Sequence, residues 1–165
     1  MLFTEPERAT ELMLESSLAA THDHWMAEVH QVLLPITRPE ATFWERWDAV
    51  RFLAERFPDR LRLEQALAAK LHLLVSSDAA TRLELQGERL CELYRQCTRL
   101  TQERGVARDL ARRADNLLEA VRLWCAEFEL AARDITESDV DEDVLRLLGR
   151  MSLGCTPAWT VALPA

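Results

Sequence analysis

The first long helical pattern places acidic residues and histidines where they could bind a metal ion. Glu11, Glu15 and His22 lie on one face of a predicted helix whose other residues on that face are apolar. Helical bundles that hold a metal or a cofactor build the site from inward Glu and His side chains on facing helices. The candidate ligands for a metal or haem are therefore Glu15, His22, Glu28 and His30.

The same residues also have a structural interpretation. Glu15 and His22 are about 10 Å apart along the helix axis, so they cannot bind one ion together, and the chain contains no Glu-x-x-His pair. His22 is then a hydrogen-bonded core histidine. His24 and Glu28 could serve acid–base chemistry in a cleft, or could form a local charge pair at helical spacing.

The sequence lacks the motifs of nucleophilic catalysis and phosphate binding. It has no serine elbow and no glycine-rich phosphate loop. Cys91, Cys97, Cys125 and Cys155 have no CxxC spacing, which is typical of free thiols in a reducing compartment. The start of the chain lacks a signal-peptide pattern, and no uncharged apolar run is long enough to cross a bilayer. We expect no catalytic residue, no cofactor and a cytoplasmic location.

Charge is distributed unevenly along the chain. The net charge of −8 argues against nucleic acid as a partner, because a phosphate backbone calls for a basic face. Over 95–113, however, six arginines accompany two acidic residues, which gives a local charge of +4. This basic cluster consists of Arg95, Arg99, Arg104, Arg108, Arg112 and Arg113. We predict that Arg104, Arg108 and Arg112 contact an acidic partner, and the alternative is a solvated helix end.

The fold is organised around a helix predicted over 106–135. Apolar residues recur there at steps of four and three, which keeps them on one face, and a second apolar column lies beside the first. The first column is Leu110, Ala114, Leu117, Val121, Trp124, Phe128, Ala131 and Ile135. A preceding helix over 78–104 would fold back at Gly105 as an antiparallel hairpin. The alternative is one continuous helix that needs a dimer to cover it.

Shorter helices are expected to cover this pair. The first ends before Pro35; the second begins with Thr37, Pro39 and Glu40 and ends at Phe57, because Pro58 is expected to break it. Its predicted core residues are Phe43, Trp47, Val50, Ala54 and Phe57. The third carries Leu63, Leu67, Leu71 and Leu74, and the last carries Val140, Val144, Leu147, Leu148 and Met151. We therefore predict an all-α, single-domain bundle of five or six helices.

The end of the chain differs from the rest. We assign 1–151 to the helical domain and 152–165 to an uncharged apolar tail. Trp159, Val161 and Leu163 either fold back over the bundle or bind a groove on another protein. These features favour a non-enzymatic protein-interaction module (an adaptor, a specialised chaperone or an inhibitor or immunity-type protein), with self-association expected from the wide apolar faces and no membrane partner. The alternative is a metal- or haem-binding bundle.

Overall fold

The computed structural model describes residues 13–102 and 107–153. Five α-helices are present in this part of the chain: α1 (Leu14–Leu33), α2 (Phe43–Leu71), α3 (Ser77–Gln102), α4 (Ala107–Ala131) and α5 (Glu142–Leu153). Short 3-10 turns occur at Pro35–Thr37 and Glu137–Asp139, and an isolated bridge joins Met13 and Thr136. The prediction of an all-α bundle is confirmed.

Helices α3 and α4 form the most extensive contact between helices. Arg82 donates to Glu127 at 3.3 Å near one end of the pair, and Arg113 donates to Gln96 at 2.6 Å toward the other. These two contacts show that the helices run antiparallel. The turn predicted at Gly105 lies outside the described residues, so the hairpin connection stays a prediction.

The apolar columns of α4 are covered on two sides, because α4 packs against both α1 and α3. Ala114, Leu117 and Val121 of the first column are buried, and so are Leu118 and Cys125 of the second. The width of the apolar face is thus explained by neighbours within the chain. It no longer argues for a second copy.

The predicted helix break at Pro58 is wrong. Helix α2 continues through this proline to Leu71. A proline inside a helix costs about 3 kcal/mol because one backbone hydrogen bond is lost. The buried face continues on both sides of it through Phe57, Leu61 and Leu67. Burying a large apolar side chain is worth about 1.5–3 kcal/mol, so together these residues outweigh the cost.

The predicted start of α2 is also wrong, and of its five predicted core residues only Phe57 is buried. Thr42, rather than Thr37, caps the helix: its hydroxyl accepts from the Glu45 amide at 3.2 Å, and Glu45 accepts from the Thr42 amide at 2.7 Å. The buried face runs through Ala49 and Leu53, one residue before the predicted positions. The predicted core residues Phe43, Trp47 and Ala54 are consequently exposed, and Val50 is half-buried.

Helix α5 lies antiparallel to α2. Lys70 and Asp143 are 3.5 Å apart, and Arg60 donates to the Met151 carbonyl at 3.3 Å. The Asp141 carboxylate caps α5 by accepting from the Val144 amide at 3.0 Å. Residues 154–165 of the predicted tail lie outside the described residues.

Candidate functional site

A groove of about 840 Å³ opens between α2 and α3. The two helices touch where Tyr94 stacks on Phe57 at 5.1 Å and donates to the Leu53 carbonyl at 2.8 Å. The groove lies between this contact and the connection that joins α2 to α3. Its α2 wall is low because it consists of the small residues Ala68 and Ala69. This groove, called the α2–α3 groove below, has the volume of sites that hold small ligands or side chains of a partner.

The α3 side of the groove carries three glutamates. Glu84, Glu88 and Glu92 are exposed, line the groove and recur once per helical turn. Four residues of an α-helix rise about 6 Å, so the carboxylates form a row along the groove, called the acidic wall below. Glu92 is 3.5 Å from Arg95. In the described part of the chain Glu84 and Glu88 have no ion-pair partner.

The floor of the groove includes Trp124 of α4, whose ring lies against Gly87 of α3. A Cβ atom added at Gly87 would be 3.0 Å from Cζ3 of that ring. Glycine is therefore favoured at this position of α3 because the Trp124 side chain approaches the helix closely. Trp124 is almost fully buried, so it closes the groove from below.

Beneath this floor lies a buried network of charges centred on Glu64. The Glu64 side chain is 0% exposed. Its Oε2 accepts from His22 Nε2 at 3.0 Å and from Trp124 Nε1 at 3.0 Å. Its Oε1 accepts from Arg60 Nε at 2.9 Å. These four residues, called the Glu64 network below, join α1, α2 and α4.

Arg60 extends the network to α5. Its remaining nitrogens donate to the carbonyl of Met151 at 3.3 Å and to the carbonyl of Thr21 at 3.2 Å. Its guanidinium carbon also lies 5.2 Å from the centre of the Trp25 ring, within reach of a cation–π interaction. A single arginine thus connects three helices by side-chain hydrogen bonds.

His22 is held as a cation between two carboxylates. Its Nδ1 lies 3.6 Å from Oε1 of Glu129, on the opposite side of the ring from Glu64. Burial by itself lowers the pKa of His22, but the interactions with Cys125, Glu129 and Glu64 outweigh it and raise the pKa to about 11. A metal ligand must be a neutral imidazole, so this environment opposes metal binding at His22.

The Glu64 carboxylate and two buried thiols, Cys125 beside His22 and Cys97 elsewhere in the core, are each held in one protonation state. Burial alone raises the pKa of Glu64, but His22, Arg60 and the Trp124 hydrogen bond lower it overall, so the carboxylate is ionised. Burial raises the pKa of the Cys125 thiol, and it raises that of Cys97 to about 12. Both thiols are therefore neutral and poor nucleophiles. The hydrogen bonds of the network connect α1, α2, α4 and α5.

The structure does not bring the candidate metal ligands together. Glu28 forms an ion pair with Arg56, His30 is exposed and Glu15 is half-buried. In residues 13–102 and 107–153, no group of three or more His, Cys, Asp or Glu side chains could hold a metal ion. The core-histidine interpretation of His22 agrees with the geometry.

The predicted partner-binding residues are described only in part. Arg104, Trp159, Val161 and Leu163 all lie outside the described residues. Arg108 and Arg112 are exposed, and Arg112 is 3.9 Å from Asp109. Their role in contacting an acidic partner stays a prediction.

An exposed aromatic surface at the start of α2 is not predicted from the sequence. Phe43, Trp44 and Trp47 are 68%, 70% and 49% exposed and contact one another at the start of α2. Large exposed apolar patches are typical of interaction sites. Self-association stays a prediction, and this aromatic surface is now the feature that supports it.

Arg60 and Glu64 were not recognised in the sequence. Once α2 is extended across Pro58, Glu64 falls in the same column as Phe57, Leu61 and Leu71. A carboxylate in an apolar column needs a buried cation, and Arg60 stands four residues before it. The assumed break at Pro58 hid this signal.

Comparison of the chain with protein-family models, with curated proteins and with solved structures finds no match. Among the described helices, none has both the length and the apolar character required to cross a membrane.

Proposed function

We propose that this protein is a non-enzymatic protein-interaction module that binds a segment of another protein in the α2–α3 groove. The observation that supports this most directly is the groove itself, an open volume of about 840 Å³ with Leu83 and Trp124 among its apolar lining. Preformed apolar grooves between helices are used to bind helical segments. An adaptor, a specialised chaperone and an inhibitor would all use such a surface in the same way.

The chemistry of the described side chains favours binding over catalysis. The carboxylate of Glu64 already accepts three hydrogen bonds and is covered. The thiols of Cys97 and Cys125 are neutral. The acidic wall would repel a phosphate backbone, so nucleic acid is a poor occupant of the groove.

A variant that fills the groove tests this function. Ala69 is exposed and lines the groove, so we expect Ala69→Trp to occupy it without disturbing the core. Ala54→Trp is the matched control, because Ala54 is exposed on the same helix but does not line the groove. Each tagged variant is used for affinity capture from the source organism, and each captured protein is then purified and titrated against both variants.

We expect a purified partner that binds the wild type and Ala54→Trp equally well and binds Ala69→Trp at least about tenfold more weakly, a loss of about 1.4 kcal/mol. If no captured protein distinguishes the two tryptophan variants, the groove is not the binding site and the proposal is wrong.

A further inference from the structure

We infer that the segment bound in the α2–α3 groove is a basic amphipathic helix, whose Lys or Arg residues face the acidic wall and whose apolar residues lie on the groove floor. This inference rests on the proposed function and specifies the class of partner. It is supported by three features of the groove: its charge, the nature of its walls and the shape of its floor.

The charge of the groove is one-sided. Glu84 and Glu88 line it without an ion-pair partner in the described residues, whereas Glu92 is paired with Arg95, which also lines the groove. The α2 wall contributes Gln65, two alanines and His72, so it offers no carboxylate. A cation that enters the groove therefore meets carboxylates on the α3 side alone. Charge complementarity of this kind selects the partner and its orientation.

The spacing of the acidic wall fits a helix. Glu84, Glu88 and Glu92 recur every fourth residue, about 6 Å apart along the axis. Lys or Arg residues at the same interval on an adjacent helix would face the unpaired Glu84 and Glu88 one to one. The apolar residues at the neighbouring positions of that helix would then point to the groove floor, which is the pattern of an amphipathic helix.

The walls of the groove also disfavour an extended segment. Both walls are helices, whose backbone N–H and C=O groups are already used within the helix. An extended peptide would have to bury unpaired backbone groups here, because the groove offers no strand edge. A helical segment satisfies its own backbone. The low α2 wall of Ala68 and Ala69 lets such a helix approach closely.

Three synthetic peptides of equal length test the inference. They share one apolar helix face, and their polar face carries Lys, Glu or uncharged Gln residues. Each is labelled and titrated with the full chain, and binding is followed by fluorescence anisotropy. We expect the Lys peptide to bind at least about tenfold more tightly than the Gln peptide and the Glu peptide to bind most weakly. The affinity of the Lys peptide should fall as the salt concentration is raised from about 0.05 M to about 0.5 M.

Charge-neutralised variants locate the binding. The double variant Glu84→Gln and Glu88→Gln should bind the Lys peptide about tenfold more weakly than the wild type does. Its affinity for the Gln peptide should be unchanged. The matched control is Asp48→Asn with Asp115→Asn, which changes the net charge equally at two exposed positions outside the groove. The control should bind the Lys peptide as the wild type does. Ala69→Trp should abolish binding of the Lys peptide.

Several results would overturn the inference. One is failure of the Lys peptide to bind, and another is equal loss of affinity in the groove and control double variants. Equal binding of the Gln peptide would mean that an uncharged segment, such as 154–165 of this chain, suits the groove as well. Sedimentation showing a dimer that the groove variant dissociates would assign the acidic wall to a second copy. A further result is a natural partner that loses affinity for Ala69→Trp but binds the double variant Glu84→Gln and Glu88→Gln as tightly as the wild type. That result would leave the proposed interaction module standing and overturn only the inference of a basic helix.

Discussion

Glu64 on α2 and Glu84 and Glu88 on α3 carry the same functional group in opposite environments. Glu64 is 0% exposed and accepts hydrogen bonds from His22, Arg60 and Trp124. Glu84 and Glu88 are exposed and have no ion-pair partner in the described part of the chain.

The difference in environment separates a carboxylate that stabilises the fold from carboxylates whose charge is free to bind a partner. A buried carboxylate is tolerated only when its charge and lone pairs are satisfied, so Glu64 can stabilise the fold but cannot offer anything to a partner. An exposed carboxylate contributes little to stability and keeps its charge free for binding. The two regions are connected by Trp124, which lies on the groove floor and donates to Glu64.

Neutralising Glu64 should have the largest effect. Glu64→Gln keeps the shape of the side chain but removes the negative charge that faces His22 and Arg60 and replaces one of the two accepting oxygens by an NH2 donor. We expect a loss of about 3–5 kcal/mol in the free energy of unfolding, measured with urea. Glu84→Gln should change it by less than about 0.5 kcal/mol. Similar losses at the two positions would remove the distinction drawn between them.

The charge of His22 should make stability depend on pH. Its pKa is about 11 in the folded protein and about 6.5 in an unfolded chain. The folded protein therefore keeps a proton that the unfolded chain releases, and the stabilisation is complete below about pH 6.5 and is lost as the pH rises toward about 11. We expect the free energy of unfolding to fall by up to about 1.4 kcal/mol per pH unit between about pH 7 and about pH 9.

His22→Gln is the control for this measurement, because an amide can still donate to Glu64 and does not titrate. Its unfolding free energy should be nearly flat over the same range. An equal slope in the wild type and in His22→Gln would place the titrating group elsewhere.

The smallest expected effect on stability comes from substituting Gly87, where α3 contacts the Trp124 ring that links the two regions. Replacing glycine by alanine inside a helix normally stabilises it by about 1 kcal/mol. Gly149 of α5 has no atom within 4 Å of an added Cβ, so Gly149→Ala should show this gain. At Gly87 the added Cβ would meet the Trp124 ring at 3.0 Å, and the hydrogen bond to Glu64 holds that ring in place.

We therefore expect Gly87→Ala to be less stable than Gly149→Ala by about 1–2 kcal/mol in thermal or urea unfolding. Equal stabilisation by the two substitutions would show that Trp124 is free to move. The groove floor would then be less fixed than the contacts indicate.

The sequence predicts the helices better than it predicts the polar interactions inside them. The columns of α4 are visible because Leu117, Val121 and Phe128 recur with helical period and are buried. Pro58 misleads because local propensity predicts a break, whereas tertiary packing of the residues around it sustains the helix. The start of α2 was misplaced because Thr37 and Thr42 both precede a glutamate at cap spacing.

The α2–α3 groove could not be predicted in the same way. It depends on how far two helices diverge, which the apolar period of each helix does not specify. Glu84 and Glu88 have the spacing of an ordinary solvated helix face, and only the position of α2 beside them makes them part of a groove. Helical period finds which side of a helix is buried, but it does not find a space left between two helices.

The shared position of Trp124 has a consequence for recognition. Because Trp124 donates to Glu64, the indole on the groove floor is held in place without any bound segment. Under the proposed function, most of the ordering that binding requires would then fall on the bound segment rather than on the groove floor.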